Sequence, residues 1–112
     1  MTMPWEDSLS DATRALSVYT IMRNSVLWTS TPLYTKAEIH AFYDDLERAQ
    51  SGDPGGFPGI STTYVDIGTA YLEANGFVTV AGSTLTPTTV VDGKPAPIRR
   101  VPGNDSALEF VP

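Results

Sequence analysis

The pair Asn75-Gly76 divides this chain into two parts that cannot share one kind of secondary structure. Before it, apolar residues recur at steps of three and four, the spacing of a helix face. After it they alternate and are rich in β-branched types, the spacing of a strand. Helices followed by strands, rather than the two in alternation, predict an α+β fold. Glycine at position 76 suits the left-handed residue that ends a helix, and Phe77 is placed to meet Leu72 across that cap.

Three helices are expected ahead of the divide. Leu9, Ala12, Leu16, Tyr19 and Met22 mark a first helix at about 8–24, opened by Ser8 with Asp11 three residues on. Thr35-Lys36-Ala37-Glu38 is a capping box for a second helix at about 36–49, with Tyr34 and Ile39 as its hydrophobic staple. Ile39, Phe42, Tyr43 and Leu46 form its buried stripe, leaving His40, Asp44 and Glu47 outside. Thr63 and Asp66 start a third helix at about 62–75, whose apolar face is Tyr64, Ile67, Tyr71 and Leu72. Between the second and third helices, Gln50 to Ser61 holds four glycines and two prolines and excludes regular structure, although Phe57 and Ile60 within it call for partial packing.

After the divide, Phe77 to Ala81 and Thr84 to Thr86 flank Gly82-Ser83 and form a β-hairpin that extends to about residue 91. Val90-Val91, Asp92-Gly93 and Ile98 to Val101 suggest a weaker second hairpin, its last strand demoted to an edge or an extended arm by Pro95 and Pro97. The sequence reads as one domain over 1–101 and a tail over 102–112, from which Leu108, Phe110 and Val111 could dock. The expected core is Leu16, Tyr19, Ile39, Phe42, Leu46, Ile67, Leu72, Phe77 and Val80.

Composition limits the partners. The chain has 112 residues, enough for one domain, and no run approaches the roughly 18 apolar residues of a membrane span. Residues 1–8 carry two acids and no Lys or Arg, unlike a signal peptide. The absence of cysteine excludes disulfides and thiolate metal sites and fits a cytoplasmic location. Seven basic residues face thirteen acidic ones, a net charge of -6, which disfavours strong nonspecific binding to nucleic acid.

No catalytic constellation stands out. His40 is the sole histidine, and no Ser or Thr is paired with it in a recognisable triad context. Glu38, Asp44, Asp45 and Glu47 lack calcium-loop spacing and read as a solvated helix face. Asp53-Pro54-Gly55-Gly56 lacks the lysine and hydroxyl of a phosphate loop. The expectation is a non-enzymatic protein with no cofactor and no metal. Lys94, Arg99 and Arg100 could either grip phosphates or serve as charges that block pairing at a sheet edge. Trp5 and Trp28 could either anchor a partner or cover the open side of the helices.

Helix, short link, helix, helix and hairpin is the order of a winged helix. Pro58-Gly59-Ile60-Ser61, the third helix, and Leu72-Glu73-Ala74-Asn75-Gly76-Phe77-Val78 resemble the recognition helix and first wing strand of small bacterial regulators of the HxlR and PadR kinds. Thr84-Leu85-Thr86-Pro87 is similar to the segment that closes their wing. The resemblance spans about residues 35–87. It implies a transcriptional regulator, possible as a homodimer, that turns Thr62, Thr63, Tyr64, Asp66 and Thr69 toward a DNA major groove and adds Lys94, Arg99 and Arg100 from the hairpin region. The chain departs from that pattern in two ways. The link between helices two and three is about a dozen residues long, and residues 60–76 contain Asp66 and Glu73 but no Lys or Arg, the types that carry many base contacts. Two further readings stay open: an acidic protein–protein adaptor, and a small structural subunit of a larger assembly such as a virus particle.

Overall fold

The structure, a computed structural model, describes residues 10–28, 33–50 and 62–112, with residues 46–50 described by their backbone alone. It is a mixed α+β fold. Its elements run α1 (Asp11–Asn24), β1 (Tyr34–Thr35), α2 (Lys36–Gln50), α3 (Thr62–Ala74), β2 (Val78–Ala81), β3 (Thr84–Pro87), β4 (Val90–Val91), β5 (Lys94–Pro95), β6 (Ile98–Val101) and β7 (Asn104–Phe110).

Local chemistry sets the helix ends. Ser10 caps α1 by accepting a hydrogen bond from the Thr13 amide at 3.1 Å, so the helix starts later than the expected Ser8, which lies outside the described residues. The capping box of α2 forms as the sequence indicates: the Glu38 amide donates to Thr35 Oγ1 at 3.0 Å and the Thr35 amide donates to Glu38 Oε1 at 3.1 Å. Both staple residues, Tyr34 and Ile39, are buried. α3 ends on a pair of bonds from Gly76 N to the Glu73 carbonyl and from Phe77 N to the Leu72 carbonyl, with Gly76 at φ 79°. That is the glycine-terminated cap expected at this position. α3 begins at Thr62, where the expected range began, but Thr63 lies inside the helix rather than capping it, and Asp66 pairs across to Lys36.

The strands form three antiparallel pieces. β1 pairs with β3, and β3 with β2, so the short strand between the first two helices joins the hairpin that follows the third. β4 then pairs with β5 around Asp92-Gly93, both at positive φ, the geometry of a type I′ turn. This corrects the expected second hairpin: Val90-Val91 turns back on Lys94-Pro95, and 98–101 pairs with 104–110 instead. Residues 104–110 are therefore a strand, where the sequence had suggested a tail from 102 onward. Pro102-Gly103, with Gly103 at φ 80°, makes the turn, and Leu108 and Phe110 pack against the core while Val111 stays exposed.

The core gathers Ala15, Val18, Tyr19 and Met22 of α1 with Tyr34, Ile39, Tyr43, Tyr64, Val65, Leu72, Phe77, Val78 and Leu85. Of the expected core, Tyr19, Ile39, Leu72 and Phe77 are buried, and Phe42 and Val80 pack at its margin. Leu46 lies outside the described side chains. Leu16 and Ile67 are only half-buried, and the cause is the approach of α1 to α3. A Cβ placed on Gly68 would lie 2.7 Å from Val18 Cγ2 and 2.9 Å from the Arg14 carbonyl oxygen. Helices this close bury small residues at the seam, so α1 turns Ala12 and Ala15 inward and carries Leu16 to the flank.

Candidate recognition surface

α3 presents one exposed stripe, Thr62, Thr63, Asp66, Ala70 and Glu73, at the three- and four-residue spacing of a helix face. Its opposite side, including Tyr64, Val65, Gly68, Thr69 and Leu72, is buried. Two of the candidate contact residues are thus corrected. Tyr64 is 3% exposed and meets Tyr43 edge-on at 5.4 Å between ring centroids; burial, with Tyr64 alongside, pushes the Tyr43 phenol pKa well up. Thr69 is 2% exposed. Both lie on the turns of α3 that pack inward, and neither can reach a partner. Thr62 and Thr63 remain available at the start of the helix.

The Lys36 ammonium lies 3.3 Å from Asp66 Oδ1 and ties the start of α2 to the stripe. A cleft of about 320 Å³ opens there, walled by Val65 and rimmed by Lys36, His40, Thr62 and Asp66. His40 is a half-buried wall of this cleft rather than a residue of the open solvent face, with Nδ1 3.7 Å from Asp44 Oδ2.

The three basic residues after the first hairpin do not share one face. Arg99 and Arg100 are successive strand residues and point to opposite sides of β6. Arg99 is held at 2.8 Å from Glu109, its partner in the β6–β7 register. Arg100 donates to Thr13 Oγ1 of α1 at 2.9 Å. Lys94 is exposed beside the Asp92-Gly93 turn. The pairing of β6 with β7 engages Arg99 and the packing of β6 on α1 engages Arg100; the sequence signal for that pairing was the unassigned apolar pair Leu108 and Phe110.

A second surface went unnoticed in the sequence. The C-terminal end of α1 and the middle of α2 bound a groove of about 400 Å³ lined by Ile21, Val26 and Phe42, with Asp45 among its polar lining. Val26, which follows the helix end, is 97% exposed. Trp28 is half-buried and stacks on Tyr34 at 5.9 Å, covering the edge of the core; Trp5 lies outside the described residues. Among the described residues no helix is long and apolar enough to cross a membrane. No protein-family model, curated protein or solved structure matches the chain.

Proposed function

We propose that the chain is a winged-helix binding module that acts as a protein–protein adaptor, with the exposed stripe of α3 as one contact face. The winged-helix reading is supported by the order α1-β1-α2-α3-β2-β3 and by the pairing of β1 with the returning strand β3. The adaptor reading is carried by one observation: the exposed stripe of α3 contains no Lys or Arg and two carboxylates, Glu73 and the Lys36-paired Asp66. A helix that reads a duplex works against dense negative charge and relies on Lys and Arg to neutralise phosphates. A basic or apolar protein surface suits this stripe better.

A DNA-reading regulator is the second reading, favoured by the exposed Thr62 and Thr63 beside Lys36 and by the exposed Lys94. The two separate in a binding titration against a randomised duplex pool at low salt. The adaptor predicts no enrichment and no retained duplex. Retention with sequence enrichment would overturn it. In that case the salt slope reports which cations take part, at about 0.9 per phosphate contact. A dimer using Lys94 alone gives a slope of magnitude about 2, and one that frees Arg99 and Arg100 from their internal partners gives about 5.

A further inference from the structure

We propose that Asn75 is a site of spontaneous deamidation which the cap of α3 holds shut, and that the reaction leaves the joint between α3 and β2 permanently loosened.

The residues supply the chemistry. An asparagine followed by glycine can close a ring on itself. The Gly76 nitrogen gives its proton to solvent and bonds to Asn75 Cγ, the Cγ–Nδ2 bond breaks, and Nδ2 takes up a proton and leaves as ammonia. One water then opens the succinimide. Breaking the new bond, from Gly76 N to Cγ, leaves an aspartate. Breaking the original bond to the Asn75 main-chain carbonyl leaves isoaspartate, whose backbone runs through the side chain and is one methylene longer. Glycine matters because it has no Cβ to crowd the attacking nitrogen. Of the chain's three asparagines, Asn24, Asn75 and Asn104, only Asn75 precedes glycine.

The cap decides when the ring can close. Both residues are exposed, and a Cβ built on Gly76 meets nothing within 4 Å beyond its chain neighbours, so packing does not block the attack. Hydrogen bonds do. The attacking nitrogen donates to the Glu73 carbonyl at 3.1 Å, which holds its proton in place. Asn75 Nδ2 donates to the Tyr71 carbonyl at 2.9 Å, which folds the side-chain amide back over the preceding turn and away from Gly76. On the far side the Thr88 hydroxyl donates to the Gly76 carbonyl at 2.7 Å and ties that peptide to the end of the hairpin. A guard of exposed hydrogen bonds at a helix end opens locally, without unfolding of the core. The product then cannot close the cap again. Either acid adds a carboxylate to Glu73 at the end of α3, the negative pole of the helix. The extra methylene of isoaspartate also displaces Phe77, whose amide donates to the Leu72 carbonyl at 2.9 Å in the intact cap.

The test is incubation of the full chain in mildly alkaline buffer, folded and in concentrated urea. Deamidation is followed by intact mass and located by peptide mapping. Mass separates it from ring closure at Asp92-Gly93, which expels water and regains it with no net change. In urea, Asn75 is expected to convert first. In the folded protein the same site converts roughly ten- to a hundredfold more slowly, the factor that two lost hydrogen bonds represent. Thr88→Val is expected to speed the folded reaction and leave the rate in urea unchanged. The recovered product should have a lower urea midpoint than the unmodified chain, and the isoaspartate form a lower one than Asn75→Asp, which carries the charge without the methylene. Equal rates in the two states overturn the proposal, because the cap would then guard nothing. No conversion of the folded chain over a period many times that needed in urea also overturns it, as does earlier conversion of Asn24 or Asn104 in the folded chain. A folded rate that Thr88→Val does not raise, or a product as stable as the starting protein, would be equally fatal.

Discussion

At the scale of single residues, Gly68 and Tyr19 show how tightly the centre is fitted. Replacing Gly68 with Ala improves helix propensity by about 1 kcal/mol. The added methyl, however, meets Val18 Cγ2 and the Arg14 backbone oxygen, and a backbone atom cannot move aside alone. Overpacking of this kind costs about 1–3 kcal/mol, so clash outweighs propensity and the variant should be destabilised by about 1–2 kcal/mol. A urea midpoint unchanged or raised in Gly68→Ala would mean that α1 and α3 lie further apart. Tyr19 makes a prediction in pH. Burial pushes its pKa up to about 12, opposed in part by Arg23, and burial raises Tyr34 and Tyr43 as well. The fold retains the neutral phenols, whereas the unfolded chain ionises them near 10. Their contribution to stability is therefore complete below about pH 10. That of Tyr19 is lost as pH rises through about 10 to 12, and the loss for Tyr43, raised further by its deeper burial, runs on to higher pH. Tyrosine ionisation followed by ultraviolet absorbance should coincide with the loss of far-ultraviolet circular dichroism. Ionisation of these tyrosines near 10 with the helices intact would refute it. The same burial explains why the candidate contacts were only half legible. The helical spacing already puts Tyr64 on the apolar face, against the contact role that the resemblance implies. Thr69, by contrast, has the residue type of a polar contact surface, and only the packing of α3 decides that it faces inward.

At the scale of elements, legibility follows the range of the forces involved. The start of α2 and the end of α3 were readable because Thr35, Glu38 and Gly76 act within a few residues of themselves. Thr35→Ala removes the oxygen that accepts the Glu38 amide, and the cost should be about 1 kcal/mol in thermal or urea unfolding. Glu38→Ala should cost less than Thr35→Ala, since the Thr35 hydroxyl keeps its own bond to the helix; equal losses would argue that the box acts as one unit. The β6–β7 hairpin lies at the other extreme. Pro102, Gly103 and the polar run Asn104 to Ser106 have the local look of a tail. What makes a strand of them is distant: Tyr71 Oη donates to the Ser106 carbonyl at 3.0 Å, and Phe110 meets Phe77 edge-on at 5.0 Å. The phase of α1 was lost for a related reason, because a small-residue seam carries little hydrophobic signal and the larger Leu16 outweighs it.

At the scale of the whole molecule, β7 is the element that ties the last of the described strands back to the start of α1. It packs over α1 and accepts a hydrogen bond from Tyr71 of α3, and the Ser10 hydroxyl lies 3.4 Å from the Asp105 carbonyl, 95 residues away in sequence. Deleting residues 102–112 removes Leu108 and Phe110 from the core margin and should destabilise the protein by roughly 3 kcal/mol or more, the scale of losing two packed apolar side chains. A mere tail would change stability by less than about 0.5 kcal/mol, so urea unfolding of the truncated chain separates the two. The 95-residue link has a further consequence, for the order of events at the ribosome. Synthesis at about 5–20 residues per second places roughly 5–20 s between the making of Ser10 and that of Asp105. Throughout that interval the flank of α1 that β6 and β7 will cover must wait bare, so a helix made early in synthesis is among the last to be sealed.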